Sequence, residues 1–415
     1  MVNSSAHQSL SKNVGLYPIY KALFQAYCWL PVFFLFFLSK LSIADVLLLE
    51  SIFFLSVVLL EVPSGYFSDK VGRRATLIIS SIGVVIAHSL FLLGAQLAEP
   101  FAVFAIAQIS LAAGTSFKSG TDTSLHYDSL LALERTNEFS AREAAVEKLG
   151  FYAGAGAALL GGAVATLDLS YAYVISLLIG LLTLAITLQF KEPVSDKQRD
   201  SVKGFTDQIG KSLKNLSNPA LAWLFAYFVL MINLNHVPYE FYQPYIGLLG
   251  SESAFFEGTA PLSSGVHTAL TMALAGFIAG RSIMLRDKVG LWPTLLLATL
   301  LQLCLIGLMA FYFHPIIVLL LIARSVPRAL MTAPLNVAIA PNVPQAQRAT
   351  YLSIQSLFGR LSFSGLLLML SQLYQLESSS WQTLSSMLSI CLWIGTIGLA
   401  LLVIGLPALN KTKTP

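Results

Sequence analysis

Long apolar runs without a single charged residue dominate this sequence. Residues 30–38, 52–60 and 295–313 contain no Asp, Glu, Lys or Arg. Over the whole chain 56% of the residues are hydrophobic and 11% are charged, whereas soluble proteins carry roughly 25% charged residues. So few charges cannot cover the surface of a water-soluble domain, but about 20 apolar residues in a helix cross a bilayer. The sequence therefore predicts a polytopic membrane protein.

Apolar windows of about 20 residues predict twelve membrane-spanning helices, called spans 1 to 12 below. A polar connection, residues 191–217, carries six Lys or Arg residues and separates the first six spans from the last six. We therefore predict an N-terminal six-helix bundle (1–190), a cytoplasmic linker (191–217) and a C-terminal six-helix bundle (218–415). The predicted spans cover residues 17–39, 44–66, 75–97, 101–130, 141–166, 170–190, 218–247, 260–284, 291–313, 315–340, 347–373 and 380–407.

The distribution of Lys and Arg predicts the orientation of the spans. In a chain of twelve spans both termini lie on one side, and the loops on that side contain almost all of the positive residues, while Lys40 stands alone on the other. Positive residues favour the cytoplasmic face. We predict that both termini are cytoplasmic and that the protein resides in the cytoplasmic (inner or plasma) membrane.

Composition and motifs also exclude several kinds of partner. The net charge is only +4 and the basic residues form no stripe, so we expect no nucleic-acid partner. No Gly-x-x-x-x-Gly-Lys-Ser/Thr loop occurs, so ATP is not the direct energy source. The three cysteines lie in apolar runs without metal-ligand spacing. We expect no metal and no cofactor.

The two halves share a short repeat. Residues 64–72 read SGYFSDKVG and residues 282–290 read SIMLRDKVG, so an identical DKVG recurs at an offset of 218 residues. Each copy follows the second span of its half. Parallel six-helix repeats predict a binding site between the halves near the middle of the bilayer, in an all-α membrane protein of two six-helix pseudo-repeats.

Residues 65–74, GYFSDKVGRR, resemble the loop signature Gly-x-x-x-Asp-x-x-Gly-Arg-Arg of the major facilitator superfamily, and they lie between spans 2 and 3, as in that family. Residues 61–65, 127–130 and 348–353 are similar to those of a bacterial branch of transporters without an assigned substrate. The resemblance covers nearly the whole chain. It implies two bundles that rock around a central cavity, with the first and fourth helices of each half lining it.

The resemblance also implies a gate at the signature loop. Asp69 would help to lock the cytoplasmic side while the transporter faces outward, and Arg73 would support the loop. Glycine permits a tight turn, and a carboxylate can bind a helix N-terminus or an arginine in one state only. The residues expected in this gate are Gly65, Asp69, Gly72, Arg73 and Arg74, with Glu61 and Arg142 at the adjoining helix ends. The second copy has Leu291-Trp292 in place of the arginine pair.

Two departures weaken the similarity to the proton-linked drug exporters of this family. Their arginine in the fourth helix is absent, because by our alignment its position falls near Ser110. Their Gly-Pro kink before a glycine pair is also absent, because Ala157-Ala158 precedes Gly161-Gly162.

Ionisable residues inside the spans are candidates for substrate or proton binding, because a charge in the hydrocarbon costs free energy. In span 4, Lys118, Asp122, His126 and Ser129 follow helical spacing on one face; alternatively, Lys118 and Asp122 only neutralise each other. Span 7 also carries polar residues on one helical face, next to Pro238 and Pro244. Span 10 has two arginines that would either pair with an acidic residue or bind an anionic group of the substrate. The candidates are Glu50, Asp122, His126, Asn233, His236, Glu240, Arg324 and Arg328.

These features predict a secondary active transporter of a small organic solute, working by alternating access with proton-coupled efflux (antiport). The alternative within this class is an importer or facilitator of a metabolite or a lipid-like amphiphile. An integral-membrane enzyme using Asp122, His126 and Asp128 is a distant alternative, because these three cannot share one helical face. A non-transporting membrane subunit is another. The expected partners are the solute, membrane lipid and H⁺, and we expect a monomer.

The predicted orientation can be tested by cysteine labelling in a variant without the three native cysteines. A membrane-impermeant maleimide should label Glu99→Cys in intact cells, because residue 99 lies in a predicted external loop. It should label Lys413→Cys only after permeabilisation. Labelling of Lys413→Cys in intact cells would invert the topology.

Overall fold

The structure is a computed structural model that describes residues 4–193, 214–252, 259–339, 342–343, 345–374 and 380–410. Every regular element in these ranges is helical. Eleven of the described helices are long and apolar enough to cross a membrane, and the helix Phe139–Ala165 contains a shorter apolar stretch, Leu149–Ala165. The prediction of an all-helical membrane protein is confirmed.

The helices follow the predicted spans closely. In the first half they are Ser4–Gln25 with Phe33–Leu38 (span 1), Ile43–Val71, Arg73–Gly94, Phe101–Lys118 with Thr121–Ala132 (span 4), Phe139–Ala165 and Leu169–Gln189. In the second half they are Pro219–Glu252, Ala260–Ala279 with Ser282–Val289 (span 8), Leu291–Phe311, Pro315–Leu320 with Val326–Ile339 (span 10), Gln345–Leu373 and Trp381–Asn410.

Several predicted spans are interrupted, which the apolar windows did not indicate. Span 4 breaks at Gly120, whose φ of +73° is in the left-handed region that glycine adopts at little cost. Span 10 passes through the 3-10 turn Leu321–Ser325 before it resumes as Val326–Ile339. Span 7, in contrast, continues as one helix through Pro238 and Pro244.

Hydroxyl groups within the spans are largely satisfied by their own helix. Ser81 donates to the carbonyl of Leu77 (3.0 Å) and Thr187 donates to the carbonyl of Thr183 (2.7 Å), one turn earlier in each case. Hydrocarbon offers these groups no partner, so the backbone carbonyl supplies one.

Contacts divide the chain into two compact units, Met1–Arg199 with Gly258–Ala269, and Asp200–Glu257 with Leu270–Pro415. Five spans of the first unit meet in a buried cluster. Its members are Tyr17, Tyr20, Phe24, Leu77, Leu125, Val146 and Phe190. The predicted boundaries at residues 190 and 218 stay a prediction.

Candidate functional site

The signature loop between spans 2 and 3 turns at Gly72. Its φ is +123°, a conformation that side chains with a Cβ rarely adopt. The carboxylate of Glu192 lies against it, since a Cβ at position 72 would be 2.7 Å from Oε1 of Glu192. That carboxylate accepts hydrogen bonds from the backbone N–H groups of Arg73 and Arg74, both at 2.7 Å. Glu192 thus provides an acceptor for two N–H groups in the first turn of span 3, and its negative charge lies at the positive end of the helix dipole.

The two arginine side chains join this loop to spans 4 and 6. Arg74 donates from Nε to the carbonyl of Phe190 at 2.7 Å. Arg73 donates from Nη1 to Oγ of Ser68 at 2.8 Å, and its Nε lies 3.5 Å from Oδ2 of Asp128. The loop is therefore tied to the end of span 6, where residues 191–217 begin.

The other residues of the signature contribute differently. Gly65 lies exposed within the helix Ile43–Val71, and a Cβ there would meet nothing within 4 Å. The side chain of Asp69 lies outside the described residues, so its gating role stays a prediction. Sequence reasoning missed Glu192, although an acidic residue directly after a span was a visible signal.

The second loop repeats the backbone of the first. Gly290 has φ +93° and precedes the helix Leu291–Phe311, as Gly72 precedes Arg73–Gly94. The similarity extends four residues further, because Thr76 Oγ1 donates to the carbonyl of Gly72 (2.7 Å) and Thr294 Oγ1 donates to that of Gly290 (2.8 Å). The DKVG repeat thus specifies one turn that occurs twice.

The side chains around the second loop are different. Asp287 pairs with the adjacent Arg286, with Nη2 and Oδ1 2.6 Å apart. Trp292, at the start of span 9, contacts Trp223 edge to face, with ring centroids 4.8 Å apart. The arginine network of the first loop therefore has an aromatic contact as its counterpart.

The predicted polar face of span 4 packs against span 1. The helix Thr121–Ala132 places it there, and contacts at about one-turn intervals connect the two spans. They are Lys21 Nζ with Asp122 Oδ2 (3.2 Å), the ring of Tyr17 stacked on that of His126 (centroids 4.2 Å apart), and Asn13 Nδ2 with Ser129 Oγ (3.1 Å).

Asp122 lies between two ammonium groups. Lys118 Nζ is 3.7 Å from the same Oδ2 that Lys21 contacts, and the Asp122 side chain is only 3% exposed. The predicted Lys118–Asp122 pair is therefore present. Lys21 is a third member of it, which the spacing of residues in span 4 did not indicate.

The residues of the enzyme hypothesis have separate partners. His126 Nδ1 lies 2.6 Å from Oε1 of Glu143, and Asp128 pairs with Arg73. Within the part of the chain that the structure describes, no group of three or more His, Cys, Asp or Glu could hold a metal ion.

Arg142 binds a residue other than the one expected. Sequence reasoning grouped it with Glu61, but its Nε lies 2.7 Å from Oε2 of Glu138, and Arg135 Nε lies 2.7 Å from Oε1 of the same carboxylate. Hydrogen bonds from Arg135 and Arg142 lower the pKa of Glu138 to about 2. This half-buried cluster links the residues that connect spans 4 and 5.

Glu50 has a neutral partner. Its Oε1 accepts a hydrogen bond from Nε2 of Gln108 in span 4, at 2.7 Å, and the residue is 6% exposed. The structure thus places two buried carboxylates in the first unit, Asp122 beside lysines and Glu50 beside an amide.

The predicted face of span 7 is buried against span 11. Asn233 Nδ2 donates to Oγ of Ser362 (3.0 Å), and the ring of His236 contacts that of Phe363 (centroids 4.8 Å apart). His236 Nδ1 donates to a carbonyl of its own helix at 2.7 Å. Glu240 is fully buried. A proton relay from His236 to Glu240 stays a prediction.

The two arginines of span 10 lie in unlike surroundings. Arg324 is buried, donates to Oγ1 of Thr271 (3.0 Å), and has Cζ 4.0 Å from the ring centroid of Tyr242. Arg328 is exposed. Their spacing of four predicted one helical face, but Arg324 lies in the 3-10 turn Leu321–Ser325, which has about three residues per turn.

Comparison with known proteins gives a consistent result. The sequence matches the family model of the Major Facilitator Superfamily over residues 14–367. Similar solved structures include the nucleoside transporter NupG (14% identity, TM-score 0.73, 96% of this chain and 98% of that chain covered). They also include a bacterial homologue of the human lysosomal transporter Spinster (14%, 0.67, 98% and 98%) and a D-xylose-proton symporter (16%, 0.63, 93% and 97%). A search among curated protein sequences finds no significant match.

Replacing Gly72 should destabilise the protein. Gly72→Ala forces a Cβ into the left-handed region, at a cost of about 1–3 kcal/mol, and displaces the Glu192 carboxylate. We expect a lower Tm in detergent. Gly65→Ala is the matched control, because it gains helix propensity in open space and should leave Tm unchanged or raise it. Equal effects of the two substitutions would contradict the close approach of Glu192.

The Glu138 cluster should lose its stabilising effect in acid. The folded-state pKa of Glu138, about 2, is below the ordinary value of 4.5. Its ionised form therefore stabilises the protein above about pH 4.5, and this stabilisation declines as the pH falls toward 2. The Tm difference between wild type and Glu138→Gln should be larger at pH 6 than at pH 3. A difference independent of pH would show that the ion pairs contribute no stability.

Proposed function

The chain belongs to the major facilitator superfamily, and from this premise we propose that it is a proton-coupled secondary transporter of a small organic solute. The family match and the transporter folds of its structural neighbours make it a membrane transporter rather than an enzyme. The coupling ion, the direction and the solute class are the proposed parts.

The observation that carries proton coupling is the Glu50–Gln108 pair. A carboxylate inside a span costs free energy unless a cation or several donors compensate it. Glu50 is 6% exposed and its hydrogen bond comes from a neutral amide, at 2.7 Å. Taking up a proton removes the charge and preserves the amide contact. Glu50 can therefore exist inside the span in either protonation state, as a proton carrier requires.

Asp122 suits a different role. Lys21 and Lys118 lie 3.2 and 3.7 Å from its Oδ2. Removing the Asp122 carboxylate would leave the buried Lys21 ammonium without that contact, which is costly. We assign Asp122 to holding spans 1 and 4 together, and Glu50 to carrying the proton.

The proposed direction is export in exchange for protons, with both termini in the cytoplasm and a monomer in the cytoplasmic membrane. Uptake of a metabolite or a lipid-like amphiphile is the alternative, and the neighbour named a D-xylose-proton symporter supports it. Candidates for solute binding in the second unit are Asn233, His236, Glu240, Arg324 and Arg328. Nucleosides and D-xylose are the first solutes to test, from the names of the neighbours.

Transport in proteoliposomes tests the proposal. An acidic interior should drive accumulation of the solute by an antiporter, because protons leave as the solute enters. An alkaline interior should drive accumulation by a symporter. The sign of the effective gradient thus gives the coupling mode in vesicles of mixed orientation. Glu50→Gln should abolish gradient-driven accumulation while exchange of solute across the membrane persists.

Three variants make the result specific. Glu99→Gln, in a loop, should behave as wild type. Glu240→Gln tests the alternative proton site in span 7, and Asp122→Asn should lower Tm as well as flux. If Glu50→Gln still accumulates the solute in response to the pH gradient, a residue other than Glu50 carries the proton. Movement of every tested solute that ignores the gradient would indicate facilitated diffusion or another ion.

A further inference from the structure

A second polar cluster lies among aromatic rings of the first unit. Trp29 of span 1, His88 of span 3 and Tyr173 of span 6 form a triangle of ring centroids with sides of 6.2, 6.3 and 6.5 Å. His88 and Tyr173 are 2% and 0% exposed. Around them pack Phe33, Phe36 and Phe91.

Each side chain of the triangle has one polar atom that lacks a hydrogen-bond partner among the described residues. These atoms are Trp29 Nε1, His88 Nε2 and Tyr173 Oη. A buried polar atom left without a partner costs free energy, and such atoms in native proteins are commonly bound to an internal water. Three of them on rings in mutual contact therefore indicate a shared partner.

The donor and acceptor pattern defines what that partner is. His88 Nδ1 lies 2.8 Å from the carbonyl of Val84, which only accepts, so in the neutral imidazole Nδ1 carries the hydrogen and Nε2 offers a lone pair. Trp29 Nε1 only donates, and the Tyr173 hydroxyl does both. A single oxygen that accepts a hydrogen bond from Trp29 Nε1 and donates one to His88 Nε2 gives both atoms a partner. The Tyr173 hydroxyl can then form a third hydrogen bond with the same oxygen.

We propose that Trp29, His88 and Tyr173 bind a single internal water molecule that bridges spans 1, 3 and 6. The size of the triangle selects water over a larger solute, because aromatic rings whose centroids are 4.5–7 Å apart are already in contact. The site is distinct from the Glu50–Gln108 pair.

Phe substitutions of three buried tyrosines test the proposal by the sign of the change in Tm. Tyr245 Oη donates to the carbonyl of Tyr312 at 2.6 Å, so Tyr245→Phe should lower Tm. The Tyr20 hydroxyl has no hydrogen-bond partner among the described residues, and its ring contacts are Phe24 and Phe190. Tyr20→Phe should therefore leave Tm unchanged or raise it. If water is bound, Tyr173→Phe should resemble Tyr245→Phe and lower Tm by about 2–4 °C.

A double-mutant cycle identifies the shared partner. Tyr173→Phe and His88→Leu should give a combined Tm loss clearly smaller than the sum of the single losses, because either substitution alone disrupts the bridge. A Tm for Tyr173→Phe at or above that of wild type, or additive losses, would overturn the proposal. These Tm measurements do not depend on transport. They can therefore refute the water site without refuting proton coupling, and the transport assay can refute proton coupling without refuting the water site.

Discussion

Hydrocarbon provides no hydrogen-bond partner, and the rest of this structure follows from that constraint. Backbone groups are satisfied by helices, and buried charges are satisfied by side chains of the same unit. Lys21 and Lys118 compensate Asp122, while Gln108 donates to Glu50. The polar side chains that a soluble protein would expose are here the contacts that hold neighbouring spans together.

The interruptions of the helices place some of these polar groups. The left-handed Gly120 begins a new helix at Thr121, and its first turn presents Asp122 to Lys21 of span 1. The 3-10 turn Leu321–Ser325 gives Arg324 a buried position beside Thr271 and Tyr242. In both cases a local departure from the α-helix accompanies a buried charge.

Proton coupling requires a group that tolerates two protonation states. In the first unit, the residue proposed for this role is different from the residue that forms the ion pairs between spans. The proposed carrier Glu50 has a neutral partner, whereas Asp122 is fixed by two cations. The start of the polar connection after span 6 is held by Glu192, whose carboxylate accepts hydrogen bonds from the first turn of span 3. The same residue explains why position 72 must be glycine.

The sequence by itself determined the spans, the family and the repeated turn at Gly72 and Gly290, because hydropathy and glycine act locally and leave a pattern along the chain. Only the tertiary structure decided the partners. Lys21 lies 101 residues before Asp122, and Asn13 lies 116 residues before Ser129. Pairing of charges depends on which helix faces pack together and where the helices break, and neither is written in the spacing of one segment.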